Sequence, residues 1–493
     1  MATPARLYPM VRRQRVRLLG AMTRARVAPW LALILAFGFS VRGIGIGTYP
    51  KLIYDEYYYV PAAYVLLGRT PPIHVADATP YIDPNLASHP PLAKEWIALA
   101  IWLFGPHPWA WRLAPALLGA ITPALTYGIA QTLWKDRAAA LWAAFLMAGE
   151  GLAVSLSHVA LLDSIEFPLG LAATAWALWL AREAEEGRYH GWGWVGEGMV
   201  LGMAVAAKWS GALTVLVVWL VAGRTWRISR GWGRRLGLAT AHTVVPLAVY
   251  MASYFYAWPS GFRQWWLPAN PWKAFWVLQW TMLQNMWAFR FFNPGESSPW
   301  SWVGLPRPLQ LVNWVQDGHE VLLWTLSNPL WTWFGMAALA VLAYRALRDP
   351  AQRWPAGFLA IWFAVAWGAW CATPRSHFYY YFLPALPPLL LAMGWALGAL
   401  GRAVRWRRRL RPGYGILLAV VLLSEAYVLP IAAGFPIPLS WIDNAYFLPQ
   451  WNPKSSPTLP SSTRSPDPRE VNVHALPVLR LSGQQGSGFA TRP

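Results

Sequence analysis

The feature that most constrains this chain is a succession of apolar runs, each about 20 residues long, the length that crosses roughly 30 Å of hydrocarbon. Of its 493 residues, 56% are hydrophobic and only 13% are charged, whereas an ordinary soluble domain carries about 25% charged residues. The 36 tryptophans fit the same interpretation, because amphipathic rings collect at membrane–water interfaces. The sequence therefore predicts an all-α polytopic membrane protein.

Hydropathy predicts about 11 transmembrane helices. The first begins near residue 29, after a basic tail over residues 1–28. Its apolar run is too long for a signal peptide and no small-residue cleavage site follows it, so we expect an uncleaved span. The other predicted spans lie near 109–134, 138–156, 160–181, 195–207, 209–223, 236–257, 329–347, 355–372, 378–400 and 413–432. A single membrane domain over residues 29–432 follows from this pattern.

The net charge of +20 indicates topology rather than a nucleic-acid partner. Short basic clusters, such as RAVRWRRRLR at 402–411, lie in alternate loops, as the positive-inside rule requires. A protein that reads nucleic acid would carry its basic face on a compact soluble module. This pattern predicts a cytoplasmic N-terminus. An odd number of spans then places the C-terminus and two long loops, about 49–108 and 258–328, outside the cytoplasm, where the chemistry is expected.

The flanking segments carry weaker signals. Trp272, Trp276 and Trp280 stand near helical spacing and predict a helix in the interface plane, for which membrane anchoring is favoured over a direct role in lipid binding. Residues 433–493 form an extracytoplasmic segment, predicted to be disordered from about 452 because it is rich in Pro, Ser and Thr. The single cysteine, Cys371, excludes a disulfide within the chain.

Ionisable side chains gather at the outer ends of the predicted spans. The first loop contains the adjacent acids Asp55 and Glu56, which either cap a helix or take part in catalysis. The other members of this set are His89, Lys94, Glu95, Arg112, His158, Asp163, Glu166, Lys208, Arg375 and His377. Each of these could be a paired or snorkelling structural charge. Their convergence on one face favours a functional site, since cations can hold a lipid phosphate and a carboxylate can accept a hydroxyl proton.

Several motifs then occur in an order that resembles the protein O-mannosyltransferase family of the GT-C superfamily. The Asp55–Glu56 pair is followed by HPPLAK, WRLAPAL, SHVALLDS, GMAVAAKWSGALTV, ESSPWSW, SNPLWTW, HFYYYFLPALP and LPIAAGFPIPLSWIDNAYFLPQW. The resemblance extends from about residue 50 to 451. A lone acid pair would be a weak signal, but the ordered set is specific.

The resemblance implies an inverting transferase that moves mannose from a polyprenyl-phosphate-mannose donor to Ser or Thr hydroxyls of unfolded or exported proteins. In that family pattern Asp55 is the catalytic base and Glu56 its partner. Binding of the donor phosphate falls to Arg112, with Lys94, His89, Arg375 and His377 as further candidates. Asp163, Lys208 and Trp300 are candidates for structural or site support. No cofactor beyond the lipid-linked donor is expected; no metal ligands are predicted, and the sequence leaves a role for a divalent metal open.

Three departures from the family pattern indicate a bacterial type of enzyme, located in the cell (inner) membrane in contact with membrane lipids. His158 stands where an arginine is expected, and Arg290 where eukaryotic members carry histidine. The second long loop is too short for the soluble MIR repeats of eukaryotic members. The hydroxyl-rich stretch KSSPTLPSSTRS makes the chain's own tail an additional candidate acceptor, although an inert tail is the simpler interpretation.

Two rival functions remain at this level. Another GT-C enzyme, which transfers a sugar such as aminoarabinose to a lipid, shares the acid pair and the PPL element, whereas the LLDS, PWSW and C-terminal matches favour protein acceptors. A secondary transporter is a weaker alternative, because it would show repeated halves and charges near the bilayer midplane.

Overall fold

The computed structural model describes residues 27–70, 88–261, 270–288, 295–316 and 318–440. The predictions made for the basic N-terminal tail, for Arg290 and for the Ser/Thr/Pro-rich C-terminal end concern residues outside these ranges. The exceptions are residues 27 and 28, the last two of the basic tail.

In the first half of the chain, every secondary-structure element in the described ranges is a helix. Its elements are α1 (Val27–Gly43), α2 (Glu56–Leu66), α3 (Leu92–Phe104), α4 (Pro108–Trp134), α5 (Arg137–Gly149), α6 (Gly151–Ser157), α7 (Asp163–Glu185) and α8 (Gly191–Ala207). Helix α3 begins immediately after Pro90 and Pro91, where a missing N–H has no intrahelical partner.

The rest of the described ranges contains eight further helices, a small sheet and three 3₁₀ turns at Pro299–Ser301, Tyr379–Ala385 and Arg408–Leu410. The helices are α9 (Gly211–Ile228), α10 (Trp232–His242), α11 (Val244–Gly261), α12 (Pro271–Ala288), α13 (Pro329–Arg348), α14 (Pro350–Cys371), α15 (Leu386–Trp406) and α16 (Arg411–Ala432). On α12, Trp272, Trp276 and Trp280 are all exposed along one side, which agrees with the predicted interfacial helix.

The predicted spans correspond to helices in the structure. Among the described residues, eight helical segments are long and apolar enough to cross a membrane, and a ninth arises if the bent pair α5–α6 counts as one span. The remaining two predicted spans correspond to α1 and α8, each 17 residues long. The chain is thus a multi-span membrane protein.

Two predicted spans are interrupted rather than continuous. The span predicted at 138–156 bends by 51° between α5 and α6, at the sequence Gly149–Glu150–Gly151. A Cβ at Gly151 would lie 2.4 Å from the backbone oxygen of Leu326, so a glycine is needed for this close approach. Buried Arg42 donates to the carbonyls of Met147 and Ala148 at 2.7 and 2.6 Å. These hydrogen bonds satisfy carbonyl groups at the C-terminal end of α5 that have no partner within the helix. The span predicted at 236–257 is likewise divided, into α10 and α11.

The prediction of a helical membrane protein is confirmed, with the addition of a small antiparallel sheet that the sequence analysis did not predict. Among the described residues its strands are β1 (Gln310–Gln316) and β2 (His319–Trp324) in the second long loop and β3 (Pro436–Pro438) after α16, in the order β1-β2-β3. Gln316 of β1 pairs with His319 of β2. The sequence Asp317–Gly318 is a typical hairpin signal, and Gly318 has a φ of +74°.

The core lies where α4, α5, α7 and α15 pack together. Small residues allow the close approach, since a Cβ on Gly394 of α15 would come within 2.7 Å of the backbone of Ala143 on α5. Helices α2 and α3 pack on each other at the end of the bundle where α4 begins. This end brings together the acid pair and the start of α7.

Candidate active site

The acid pair lies in a turn of constrained geometry. Tyr54 has a φ of +49°, a left-handed conformation that costs a non-glycine residue about 1–2 kcal/mol. Asp55 then begins α2, yet its side chain makes no capping hydrogen bond. Among the described residues its carboxylate has one long contact, 3.5 Å from the Tyr59 hydroxyl. Of the two interpretations of Asp55, the geometry therefore disfavours capping.

Glu56 plays a different part from Asp55. Its carboxylate is fully buried and accepts two hydrogen bonds from Arg112, from Nε to Oε1 and from Nη2 to Oε2, both at 2.8 Å. The backbone N–H groups of Ile53 and Ala160 donate to the same carboxylate at 2.8 and 2.9 Å. Three of these hydrogen bonds join the acid-pair turn to the start of α4 and to the segment before α7, and the bond from Ile53 closes the turn itself.

Arg112 uses all its donors within this support. Besides the two bonds to Glu56, its guanidinium donates to the carbonyls of Ile46, Tyr49 and Lys51 at 3.1, 2.7 and 2.6 Å. A guanidinium has five N–H groups, and all five are occupied. The implied binding of the donor phosphate by Arg112 is therefore not what its contacts indicate, because the side chain is committed to holding the loop that precedes Asp55.

A second ion pair lies beside Asp55. Lys208, between α8 and α9, donates from Nζ to both carboxylate oxygens of Asp163, at 2.7 and 2.8 Å. The same Nζ lies 5.6 Å from the ring centre of Tyr380 and 4.8 Å from that of Tyr381. A third N–H of the ammonium group remains after the two bonds to Asp163.

Arg375 also lies against the Tyr381 ring. Its guanidinium carbon is 5.5 Å from the ring centre, and Nη2 lies 3.3 Å from the tyrosine hydroxyl. Nη1 contacts the sulfur of Met286 at 3.1 Å. The Nε–H of Arg375 is buried and has no hydrogen-bond partner in the described part of the chain, so this donor is free to bind a water, an ion or a ligand.

The remaining residues of the first loop complete the site. Lys94 is fully buried and donates to the His89 carbonyl at 3.0 Å. The His89 ring lies edge-on to Tyr59, with centroids 6.0 Å apart, and its buried Nδ1 lacks a partner among the described residues. Burial lowers the pKa of His89 well below its usual value, and the positive charges of Lys208, Lys94 and Arg375 lower it further.

Asp55 lies within the same electrostatic field. Burial raises the pKa of the Asp55 carboxyl to about 7; the charge of Lys208 opposes that shift and the charge of Asp163 adds to it. Arg375 also acts on this carboxyl. The structure therefore brings together Asp55, Asp163 and Lys208 with Arg375, His89 and Lys94.

Two predicted site residues lie to one side. The His377 ring contacts the Thr373 hydroxyl through Nε2 at 2.9 Å and packs edge-on to Trp302 at 6.2 Å between centroids. Burial lowers the pKa of His377 to about 4, so the ring is neutral near pH 7. Trp300 is 65% exposed and packs against Trp367. Their contacts indicate support for the loop around residues 296–302, which is bonded to the His377 carbonyl through the Ser297 N–H at 3.0 Å.

Sequence reasoning did not assign a role to Tyr381, the residue that lies against both Lys208 and Arg375. The signal was present in the motif HFYYYFLPALP, where three tyrosines follow His377 and Phe378. Nothing in the spacing distinguishes which of the three rings meets the cations.

Glu166 lies one helical turn from Asp163. Its side chain is buried, and among the described residues it has only a 3.5 Å contact from Ser210.

Comparisons with known proteins show which family the chain resembles. Residues 107–258 match the family model of dolichyl-phosphate-mannose-protein mannosyltransferase. The chain is 26% identical to the polyprenol-phosphate-mannose–protein mannosyltransferase of Mycolicibacterium smegmatis, over 88% of this chain and 94% of that protein. A similar match, 25% identical over 86% of this chain and 92% of the relative, is the enzyme of the same name from Mycobacterium tuberculosis.

Solved structures share the fold. The yeast (S. cerevisiae) protein O-mannosyltransferase Pmt1-Pmt2 complex bound to its sugar donor superposes with a TM-score of 0.68 at 15% identity, covering 86% of this chain and 92% of that chain. ArnT from Cupriavidus metallidurans bound to undecaprenyl phosphate gives a TM-score of 0.51 at 18% identity, covering 83% of this chain and 74% of the other.

This multi-span membrane protein has the GT-C fold of these solved structures. Its similarity to the named mannosyltransferases over most of both chains, together with the family-model match over residues 107–258, confirms the resemblance first seen in the ordered motifs.

Proposed function

We propose that this protein transfers mannose from polyprenyl-phosphate mannose to Ser or Thr hydroxyls of exported proteins, with Asp55 as the general base. The observation that carries the proposal is that the carboxylate of Asp55 makes no capping hydrogen bond to its helix and lies beside the cations Lys208 and Arg375. Support for the substrates comes from relatives named polyprenol-phosphate-mannose–protein mannosyltransferases, which match along 92–94% of their own length.

In the proposed reaction Asp55 accepts the proton of the acceptor hydroxyl while the hydroxyl oxygen bonds to the anomeric carbon of mannose. The bond between that carbon and the phosphate oxygen breaks, and the electron pair leaves with the polyprenyl phosphate. A β-linked donor would give an α-linked product. A pKa of about 7 suits this task, because a general base is most effective when its pKa lies near the working pH.

The leaving phosphate is assigned to Lys208 and Arg375, with Lys94 and His89 nearby. Lys208 keeps one N–H beyond its two bonds to Asp163, and the buried Nε–H of Arg375 has no partner within the described ranges. Preorganised donors of this kind stabilise charge that develops in a transition state, at about 2.7–4 kcal/mol for each donor removed in measured cases. Arg112 and Glu56 are assigned a positioning role instead.

The proposed orientation places this site outside the cytoplasm and the N-terminus inside, in a bacterial cell membrane. Its basis is the alternation of basic clusters between spans. Acceptor proteins would then meet the site after export, when Ser/Thr-rich segments are still extended.

A second candidate function is transfer of an amino sugar to a lipid. The chain is 27% identical to the undecaprenyl phosphate-alpha-4-amino-4-deoxy-L-arabinose arabinosyl transferase of Pseudomonas aeruginosa, over 82% of this chain but only 65% of that protein. The greater coverage of the mannosyltransferases makes protein mannosylation the better supported reading.

The test is transfer of radiolabelled mannose from polyprenyl-phosphate mannose to a Ser/Thr/Pro-rich peptide, using full-length protein in lipid. We expect wild type and Asp349→Asn, which alters a helix cap in another loop, to label the peptide. Asp55→Asn should lose about 10²–10⁴-fold activity without a change in thermal stability. Near-normal transfer by Asp55→Asn would overturn the assignment of the base. Labelling of a lipid by aminoarabinose, with no mannose transfer, would support the second candidate.

A further inference from the structure

The loop between α15 and α16 carries a concentration of positive charge that the transfer reaction does not use. Counting the last turn of α15 and the first residue of α16, this 405–411 loop contains five exposed arginines within seven residues: Arg405, Arg407, Arg408, Arg409 and Arg411. None of the five forms an ion pair within the described part of the chain. Two of them belong to the 3₁₀ turn Arg408–Leu410, a short turn that keeps successive side chains close together.

Some arginines of neighbouring basic loops at the same end of the molecule are neutralised by acids. Arg182 and Arg188 pair with Glu186, and Arg224 pairs with Glu185. Arg402, just before the loop, pairs with Asp136. The 405–411 loop differs in its charge density, because five arginines without an acid partner in the described ranges lie within seven residues.

The position of the loop excludes a role in holding the donor phosphate. The pair Arg402–Asp136 fixes the loop at the end of α4, and Arg112 lies near the other end of the same helix. A helix of 27 residues is about 40 Å long at 1.5 Å per residue. The arginines therefore lie on the membrane face opposite to Asp55.

Apolar side chains place the loop at the height of lipid headgroups. Trp406, within the loop, is 89% exposed, as expected of an interfacial aromatic anchor. Ile416 and Leu423 on the adjoining α16 are 66% and 70% exposed, so the surface next to the loop faces lipid tails. A partner in the aqueous phase would meet this exposed hydrocarbon surface as well as the charges, whereas a lipid satisfies both.

We propose that the 405–411 loop is a binding site for the headgroups of anionic phospholipids, distinct from the site for the polyprenyl-phosphate donor. The phosphate of a lipid headgroup accepts hydrogen bonds from the arginines while Trp406 lies among the upper acyl carbons. Each arginine near an anionic surface strengthens binding by about fivefold, so several together select anionic over zwitterionic lipids. The site would anchor the α15–α16 hairpin to the leaflet opposite the active site.

The experiment measures retention of phosphatidylglycerol and of phosphatidylcholine by full-length protein in neutral detergent, by native mass spectrometry. Wild type should retain phosphatidylglycerol with at least about tenfold preference. The variant with all five loop arginines replaced by Gln should lose that preference to within about twofold. A matched control, Arg227, Arg230, Arg345, Arg348 and Arg353→Gln, removes the same charge from other loops and should keep it.

Two further measurements secure the outcome. The variant with all five loop arginines replaced by Lys should keep the preference for phosphatidylglycerol, because a headgroup phosphate also accepts hydrogen bonds from an ammonium group. Raising the ionic strength should weaken retention by wild type, since exposed charges are screened. Equal retention by wild type and the Gln variant, or retention that ignores salt, would overturn the proposal. Saturating polyprenyl phosphate should leave retention unchanged; displacement by it would mean that the two lipids share one site.

Discussion

The carboxylate of Glu56 and the guanidinium of Arg112 form a buried pair with two hydrogen bonds of 2.8 Å, one to each carboxylate oxygen. Glu56 follows Asp55 directly in the sequence, and its pair with Arg112 holds the turn that carries Asp55. The proposed base and the structural acid are thus adjacent residues with separate surroundings.

Breaking this pair should destabilise the protein rather than weaken donor binding alone. Arg112→Gln leaves a buried carboxylate without its partner, and loss of one partner of a buried pair costs about 3–5 kcal/mol. We expect a markedly lower thermal midpoint in detergent. The double variant Glu56→Gln/Arg112→Met should recover part of the loss, because no charge is then left unpaired. A stable Arg112→Gln protein with only a raised KM for the donor would instead favour phosphate binding by Arg112.

The pH dependence of transfer should report the raised pKa of Asp55. The base must be ionised to accept a proton, so kcat/KM should rise with pH and level off above about 7, the pKa of its carboxyl. A carboxyl with an ordinary pKa near 4 would give a flat profile above pH 5. The profile of the free enzyme, measured at low donor concentration, decides between the two.

Charges beside Asp55 should shift the rising part of the pH profile, its acidic limb, in opposite directions. Asp163→Asn removes a negative charge that raises the pKa of Asp55, so the limb should shift to lower pH. Lys208→Gln removes a positive charge that lowers the same pKa, so the limb should shift to higher pH. Shifts of the same sign in both variants would contradict the placement of Asp55 between these charges.

Lys208 should contribute to donor use beyond its effect on pH. Its ammonium group keeps one N–H for the donor phosphate in the proposed reaction, and a hydrogen bond to a charged group contributes about 1.5–3 kcal/mol. Lys208→Gln, measured at the pH optimum of the variant, should lower kcat/KM for the donor by about 10–150-fold. Lys135→Gln, an exposed lysine paired with Glu186 at 3.5 Å, serves as the control and should be near wild type.

Tyr381 should act through its ring more than through its hydroxyl. The ring lies 4.8 Å from the Lys208 ammonium and 5.5 Å from the Arg375 guanidinium, and each such contact contributes about 0.5–2 kcal/mol. Tyr381→Phe keeps the ring and loses only the 3.3 Å contact with Arg375, so donor KM should change little. Tyr381→Leu should raise donor KM by at least about fivefold. Equal KM values in both variants would remove the ring from the account.

The spans could be predicted from the sequence because the hydropathy of each apolar run is enough to show that the run lies in lipid. Pro108–Trp134 and Pro350–Cys371 agree closely with the spans predicted at 109–134 and 355–372. The bend at Gly149–Gly151 was not accessible, since it depends on the approach of Leu326, a residue far away in the sequence. The hairpin around Gly318 was missed for a different reason, because hydropathy windows suited to spans average over short strands.

The residues of the candidate site were largely named in advance, but their pairing was not. Asp55, His89, Lys94, Asp163, Lys208 and Arg375 share one electrostatic field, as their predicted position on the outer face suggested. That Arg112 serves Glu56, and that Asp163 serves Lys208, follows only from distances in space.

The sequence by itself determined the class of solvent in which the chain folds, the approximate spans and the identity of the acids and bases that gather at one end of the bundle. These properties are local, because lipid acts on each run of side chains separately. The tertiary structure alone decided which acid is held and which remains available to a substrate. That choice rests on hydrogen bonds between residues 45–104 positions apart, and such bonds exist only once the helices have packed.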